Sequence, residues 1–335
     1  MVEKIDYSII IRTTGQAGEK YQKLLNSIEK LIPKPKEIIV VLPIGNEKPK
    51  DVLGWETFYF TKKGMVSQRL YGINQCKTKY ALICDDDVSF ESNFVSKLYQ
   101  PIYEKKCDLS AGPLIEFFPR KGINSFISAI FTIAVPTIFH KSKYCHILRG
   151  SGYSYNRKID CNQCKYYETD SLPWTCFFGD IDKIKSIKLE DERWLDMHGY
   201  AALDDQTMFY KGKLLGIKTC VVSDAIYQHN DAKTSSRGIN DIVSYSLSFN
   251  RIVFWYRFLY LMQSNGLKKV ITLSCFAYKI VLMKLFYFIK LKLKRMTISE
   301  YCSFNSGFTD GYKYISSKEF LMLPSIKNKE KIIEV

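Results

Sequence analysis

Three consecutive aspartates, Asp85, Asp86 and Asp87, follow the apolar run Tyr80-Ala81-Leu82-Ile83-Cys84 and concentrate more potential chemistry than any other stretch of the chain. Their hard oxygens suit Mg²⁺ or Mn²⁺, and an ion held by one or two carboxylates ordinarily completes its shell with substrate phosphates and water. The same triplet also suits a solvated acidic turn that opens the next helix, because Asp is a common cap. A second acidic pair, Asp204-Asp205, precedes Met208, Phe209, Leu214 and Leu215, a pattern that suits a helix with both carboxylates in its first turn. There the helix dipole favours their ionised form. The pair is either a plain cap or a carboxylate placed to take a proton from an attacking hydroxyl. His229, one of four histidines, ends the segment Val221 to Gln228. Neutral imidazole is a common metal ligand, so His229 is a candidate to complete a metal site with Asp85 and Asp87; a lone histidine is otherwise an ordinary surface or core residue.

These residues need a scaffold, and the first hundred positions supply one. Tyr7 to Arg12, Glu37 to Leu42, Trp55 to Phe60 and Tyr80 to Cys84 read as strands, while Lys20 to Leu31, Val66 to Cys76 and Ser92 to Lys105 read as helices. Pro33-Lys34-Pro35 stops the first helix. Such alternation predicts a mostly parallel sheet covered on both faces, and the triplet would then project from the carboxyl end of the fourth strand, where open α/β sheets place their ligands.

With 335 residues, 46% of them hydrophobic and 25% charged, the chain is long enough for one large α/β domain and an appendage. No signal peptide is expected from the mixed charges of Met1 to Asp6, which points to the cytosol. Ten cysteines, many in core-like segments, fit reduced thiols. Cys161 and Cys164 form a C-x-x-C pair, and with Cys145 and Cys176 they make a zinc site the alternative to free thiols, although the spacing matches no standard ribbon. The net charge of +15 implies an anionic partner. No nucleic-acid-binding pattern occurs, which leaves nucleotide phosphates and an acidic membrane surface.

Two further stretches bear on a membrane. Residues 123–139 carry no charge over 17 positions, but Asn124 and Pro136 argue for a buried or interfacial helix rather than a span. Ile252 to Met262 and Val270 to Lys294 are apolar and aromatic, interrupted by Lys279, Lys284 and Lys290, and end in a basic run through Arg295. Snorkelling lysines on such a sequence describe interfacial helices that favour anionic lipid; packing on the catalytic domain or on a second subunit is the alternative. Domain boundaries follow as 1–245 for an α/β domain, with an irregular Cys- and Tyr-rich insertion at 141–176, and 246–335 for a helical, membrane-associating region.

In this order the features resemble family 2 glycosyltransferases of the GT-A fold, the nucleotide-diphospho-sugar transferase-like mixed sheet flanked by helices. The resemblance covers roughly residues 5 to 230. It rests on the opening strand Tyr7 to Thr13, the second strand Pro35 to Val41, the segment Gly64 to Ile73, the DXD motif Asp85-Asp86-Asp87 and Asp204-Asp205 in place of the family's Glu-Asp pair. Asn305 to Gly311 resembles the tail of membrane-associated members. The resemblance implies nucleotide-sugar contacts from Arg12, Thr13, Arg69, Asp85 and Asp86, metal ligation by Asp87 with Asp85 and His229, and Asp205 as the base of an inverting displacement. Asp86, between the working pair, is expected to matter least. Two departures stand out: Leu42-Pro43-Ile44-Gly45 replaces the family's usual Asp after the second strand, and Leu70 replaces its Asn after the helix Arg.

The expected function is metal-dependent transfer, with Mn²⁺ or Mg²⁺, from a nucleotide-sugar donor to a glycan or lipid-linked acceptor at the inner face of a cytoplasmic membrane, in polysaccharide or glycoconjugate synthesis. A non-catalytic scaffold retaining the fold, or a nucleotidyltransferase, is the alternative. The latter normally carries a Gly-rich phosphate loop, which Thr13 to Gly18 imitates poorly.

Overall fold

The computed structural model describes residues 5–115, 122–134, 143–156, 158–230 and 240–326. Residues 135–139 of the uncharged stretch, and 327–335 at the end of the helical region, lie outside the described residues.

Strands β1 (Tyr7–Arg12), β2 (Glu37–Pro43), β3 (Glu56–Thr61) and β4 (Tyr80–Asp85) form the parallel half of an eight-stranded sheet, with α1 (Glu19–Lys30) and α2 (Met65–Gln75) as crossovers. Along β1 the side chains alternate between two cores: Ile10 packs with Ile39, Val41 and Ile83, whereas Ile9 and Ile11 pack with Ile38, Val40 and Leu82. A strand buried on both faces reads as an unbroken apolar run, as this one does. Helix α1 covers the second core with Tyr21, Leu24, Leu25 and Ile28, one stripe at helical spacing. Each such side chain stabilises the fold by about 1.5–3 kcal/mol through burial, so Leu24→Ala would open a costly cavity.

After β4 the chain makes the short β5 (Val88–Phe90), α3 (Phe94–Tyr103), β6 (Leu109–Ala111) and α4 (Ile123–Phe131). The insertion at 141–176 holds a hairpin of β7 (Cys145–Ile147) and β8 (Tyr153–Tyr155), then the edge strand β9 (Tyr166–Glu168). Strand β10 (Cys176–Asp180) enters the sheet antiparallel between β4 and β6. The short α5 (Ile181–Ser186) precedes α6 (Asp204–Leu214), and β11 (Thr219–Val222) and β12 (Tyr227–His229) follow. The run read as one strand from Val221 is thus two: β11 stays in the large sheet, and β12 pairs with β5.

Two buried ionic knots tie the later elements down. Asp170 accepts from Lys143 (3.0 Å), Lys213 (2.6 Å) and the Ile147 amide (3.0 Å) and lies 2.7 Å from His146 Nδ1, which binds the inserted hairpin to α6. Burial raises the cost of its charge, but these partners hold its carboxyl well below the usual range. Glu192 accepts from Arg257 at 2.7 and 2.9 Å and from Trp194 at 2.9 Å, and Lys211 Nζ lies 2.8 Å away.

Arg257 belongs to a π-helical segment, Trp255–Tyr260, that continues α7 (Asn240–Phe254). Residue 245 lies inside α7. Helix α9 (Ile298–Tyr314) lies against α7 with Gly307 over Tyr245 and Ser248; a Cβ at Gly307 would collide with Ser248 Oγ and the Tyr245 carbonyl. Ile252, Val253, Phe254, Trp255, Phe258 and Leu259 are core residues. This corrects the interfacial expectation for Ile252 to Met262 over most of its length: the apolar side chains up to Leu259 are buried in the protein and Arg257 is paired with Glu192, while Leu261 and Met262 are exposed. Helix α8 (Gly266–Lys292) behaves differently. It buries Thr272, Phe276 and Ile280 and leaves Leu267, Val270, Leu273, Val281, Leu285 and Phe288 exposed, and it is long and apolar enough to cross a membrane by length and composition. A short α10 (Lys318–Leu321) ends the regular structure.

Candidate active site

The parallel register of β1 and β4 sets Arg12 opposite Asp85, and Arg12 Nε donates to Asp85 Oδ1 at 3.1 Å. Burial penalises this guanidinium, but Asp85 and Asp86 more than compensate and hold its proton more tightly than usual. Arg69, 3% exposed on α2, donates to the same oxygen of Asp85 at 2.8 Å and through its other nitrogen to Asp204 Oδ2 at 3.0 Å. One rigid fork therefore joins both acidic motifs. The guanidinium also lies over the Trp174 ring, 4.7 Å from its centroid.

Helix α2 is aimed by residues that the sequence reading did not single out. Asp196 accepts from the Val66 and Ser67 amides at 3.3 and 2.9 Å and from Ser67 Oγ at 2.8 Å, capping the helix from a distant loop. Gln68 donates to the carbonyls of Thr13 and Val41, both at 3.1 Å, locking α2 onto the ends of β1 and β2.

The three aspartates part company at the end of β4. Asp85 faces the two arginines. Asp86 accepts from Thr13 Oγ1 at 2.5 Å, and Thr13 Oγ1 accepts from the Gly15 amide at 2.9 Å. Burial pushes the Asp86 carboxyl up to about 6. The middle residue, ranked least consequential from sequence, thus fixes the loop after β1. Asp87 turns to the other side, where pairing of β5 with β12 sets Val88 opposite His229 and brings His229 Nε2 to 3.3 Å from Asp87 Oδ1. The Asn230 amide donates to the Asp87 carbonyl at 2.7 Å.

Among the described residues no three His, Cys, Asp or Glu side chains converge as a metal-binding group. Of the expected ligands, Asp87 and His229 come together and Asp85 is engaged by arginines instead. A carboxylate and an imidazole nitrogen suit Mn²⁺ that draws its remaining ligands from a diphosphate and water, whereas Mg²⁺, which takes oxygen ligands, would use the carboxylate alone. Cys145 and Cys176 are buried in β7 and β10, Cys164 is exposed and Cys161 half-buried, all as free thiols outside any such group.

Asp204 and Asp205 occupy the first turn of α6, entered through Leu203 at φ 65°. Asp205 lines a pocket of about 170 Å³ together with Leu114, Tyr153, Tyr155, Trp174 and Gln206. Its Oδ1 accepts from the Gln206 amide at 2.8 Å. Burial, reinforced by the adjacent Asp204 charge, pushes the Asp205 carboxyl up to about 7. Asp204 is raised too, by burial against the opposing pull of Arg69. The pair is thus divided, with Asp204 held by an arginine and Asp205 poised to exchange a proton near neutrality.

The pocket's aromatic wall was not foreseen. Tyr144, Tyr153 and Tyr155 come from the insertion, with ring centroids 5.8 Å apart for Tyr144 and Tyr155 and 5.4 Å for Tyr153 and Tyr155. Tyr144 Oη accepts from the Leu114 amide at 3.0 Å. The available signal was the density of tyrosine in that segment, without a period to place it.

Comparison with known proteins bears on the fold. Residues 50–172 match the family model described as glycosyl transferase family 2. No curated protein matches the sequence. Among solved structures, the chain is similar to S. aureus TarS 1-349 in complex with UDP-GlcNAc, with 14% identity, a TM-score of 0.51, and 92% of this chain and 81% of that chain covered. It is similar to GalNAc-T7 with UDP, GalNAc and Mn²⁺ at 11% identity and TM-score 0.51, covering 77% of this chain and 51% of that one. A longer S. aureus TarS structure gives 14% identity and TM-score 0.53 over 95% of this chain and 50% of that one. The chain thus spans about half the length of GalNAc-T7 and of the longer TarS structure.

Proposed function

We propose that this chain is a family 2 glycosyltransferase of the GT-A fold, which transfers a sugar from a nucleotide-sugar donor to a hydroxyl of a glycan or lipid-linked acceptor, with inversion and with a divalent cation. The observation that carries this reading is the Arg69 fork, which brings the acidic end of β4 and the first turn of α6 into one site. The donor and the Mn²⁺ named in the neighbouring structures support the nucleotide-sugar and metal parts.

Asp87 and His229 would hold the cation, which as a Lewis acid offsets charge on the departing nucleoside diphosphate. Arg12, Thr13 and Asp86 shape the nucleotide side. Asp205 takes the proton of the acceptor hydroxyl as it attacks the anomeric carbon, and its raised pKa leaves it able to accept that proton near neutral pH. Arg69 holds Asp204 beside it and opposes the burial that raises its pKa. The pocket wall of Tyr153, Tyr155 and Trp174 orients the acceptor and excludes water, which supplies part of the rate through positioning. Helix α8, with lysines at 268, 269, 279, 284, 290 and 292 among its exposed apolar residues, rests in the interface of an anionic membrane on the cytoplasmic side, in keeping with polysaccharide or glycoconjugate synthesis.

The test is release of nucleoside diphosphate from a panel of nucleotide sugars with Mn²⁺. Release that EDTA abolishes and Asp205→Asn suppresses supports the reading. Binding of donor without any turnover would favour a non-catalytic scaffold, and release of pyrophosphate from a nucleoside triphosphate would favour a nucleotidyltransferase.

A further inference from the structure

The ten cysteines are free thiols, and two of them touch. Cys107, between α3 and β6, and Cys220, on β11, are both buried, and their sulfurs lie 2.8 Å apart. The contact follows from the sheet: β6 and β11 run parallel with Leu109 opposite Thr219 and Ser110 opposite Cys220, so the turn that enters β6 reaches over the start of β11. The hydrogen bond with Cys220, and then burial, hold the Cys107 proton more tightly than in a free thiol. Cys84 and Cys176 are the comparison within the fold. They face each other in register across β4 and β10, but both are fully buried and neither lines a cavity described here among the residues around Cys220.

A buried thiol is ordinarily inert, because the thiolate is the nucleophile and dry surroundings disfavour it. Cys220 differs in lining a cavity of about 640 Å³ whose walls come from β9, β11 and the turn after α6. That cavity shares no residue with the pocket of Asp205. Thr219 is level with Ala81, at the start of β4, through Leu109 and Gly179, so the cavity lies toward the opposite end of the sheet from Asp85. Lys106, Lys213 and Lys218 stand on its walls. Lys213 is engaged by Asp170 at 2.6 Å, whereas Lys106 and Lys218 form no ion pair among the described residues. Glu168, the acid on the same wall, is taken by Lys143 at 2.7 Å. Cationic side chains favour a thiolate and draw in anionic reagents.

We propose that Cys107 and Cys220 are an oxidisable dithiol, which closes to a disulfide when an anionic low-molecular-weight disulfide, such as glutathione disulfide, reaches Cys220 through the lysine-lined cavity. Cys220 gives up its proton and its thiolate attacks one sulfur of the reagent; a mixed disulfide forms and the first small thiolate leaves. Cys107, in contact behind it, then loses its proton and attacks the Cys220 sulfur, and the second small thiolate leaves. Two protein thiols are oxidised by two electrons, one small disulfide is reduced to two thiols, and the two protons end on the departing thiolates. The new bond joins positions 113 apart, closing a loop that contains Asp196, Asp204 and Asp205 and so restricting the unfolded chain. None of this depends on the transferase reading.

The experiment exposes the reduced full chain to glutathione disulfide or to cystamine, a cationic disulfide, then alkylates it, digests it without reduction and maps the cysteines by mass spectrometry. Glutathione disulfide should link Cys107 to Cys220 with loss of about 2 Da, and Cys84 and Cys176 should stay reduced. Cys107→Ala should stop at a mixed disulfide on Cys220, and Cys220→Ala should leave Cys107 unmodified. Relative to their rates with a free cysteine peptide, the anionic reagent should be favoured about tenfold or more at low salt, and Lys106→Met combined with Lys218→Met should lose most of that preference. The linked native chain should melt about 3–7 °C above the reduced one and return on treatment with dithiothreitol, with no gain in Cys107→Ala treated alike. Absence of the link in the native chain, which needs no variant to fold, overturns the dithiol. A mixed disulfide on Cys107 in Cys220→Ala overturns the order of attack. Equal relative rates for the two reagents overturn entry past the lysines, and a linked chain that melts no higher overturns the restraint.

Discussion

Replacing the proposed base, Asp205, should kill turnover and at the same time stabilise the protein. The Asp205 carboxyl is pushed from its ordinary 3.8 to about 7, chiefly by burial and then by Asp204. At 1.36 kcal/mol per pKa unit, this corresponds to at most about 4 kcal/mol against the ionised form. Asp205 is only partly buried, and solvent screening reduces the figure to about 1–2 kcal/mol. The sign follows from linkage: the native state binds this proton more tightly than the unfolded chain, so the carboxyl contributes no penalty below about pH 4 and the full penalty above about pH 7. Asp205→Asn keeps an oxygen to accept from the Gln206 amide and removes the charge. With an unfolding entropy of about 2.1 cal/mol/K per residue, 335 residues give about 0.7 kcal/mol/K. The variant should therefore melt about 1.5–3 °C higher at pH 8, with the gain fading as the pH falls toward about 4. Transfer should fall by about 10²–10⁴-fold in the same protein. Differential scanning calorimetry across pH, without donor or metal, reads the first effect, and diphosphate release reads the second. A gain in melting temperature that does not change with pH, or a loss at pH 8, would refute the electrostatic reasoning even if activity disappeared.

Three further outcomes follow. In the native chain kcat/KM should rise with pH to a plateau above about 7, since Asp205 must be ionised to act as base; an initial-rate profile that stays flat from about pH 5.5 to 8.5 contradicts that role. Arg69→Met should destabilise by about 3–5 kcal/mol because it strands Asp204 and leaves Asp85 to Arg12 alone, and Arg69→Lys, which keeps the charge but loses the fork, should fall between the two in urea unfolding. Asp87→Ala and His229→Ala should each weaken Mn²⁺ binding about tenfold or more in calorimetric titrations while circular dichroism stays native; unchanged affinity in both would place the cation elsewhere.

The parallel half of the sheet was legible because β1, β2 and β4 are apolar on both faces, and each run stops at a proline, a charge cluster or a turn. Asp204 and Asp205 were also placed correctly, in the first turn of a helix, because Met208 and Phe209 set its phase. Three-residue strands left no such trace. β5, β7, β8 and β12 are shorter than any period that a pattern can reveal, and the split of Val221 to His229 depends on β12 finding β5 across the fold. The same limit hid the aromatic wall, since Tyr153 and Tyr155 earn their position from a hairpin anchored by Asp170 rather than from their neighbours in sequence. For Ile252 to Met262 the pattern showed an apolar and aromatic run, and only the tertiary packing reveals that Ile252, Val253, Phe254, Trp255, Phe258 and Leu259 share a core with Trp194 and Phe209. Arg69 was foreseen as a site residue, but its bridge to Asp204 spans elements that no local pattern connects.

The cap that Asp196 places on α2 has a consequence for how the molecule comes into being. The helix that carries Arg69 is finished by a side chain 130 positions further along, and the carboxylate that Arg69 grips on its far side lies later still. A chain emerging from the ribosome therefore presents the first acidic triplet well before the residues that orient its arginine have been made. Contacts of such long range form late and slowly, so the nascent first half has sheet but no working site. Premature termination before the second acidic pair would leave α2 without its cap or Arg69 without Asp204, so the two acidic motifs can be joined only after about three-fifths of the chain has been made.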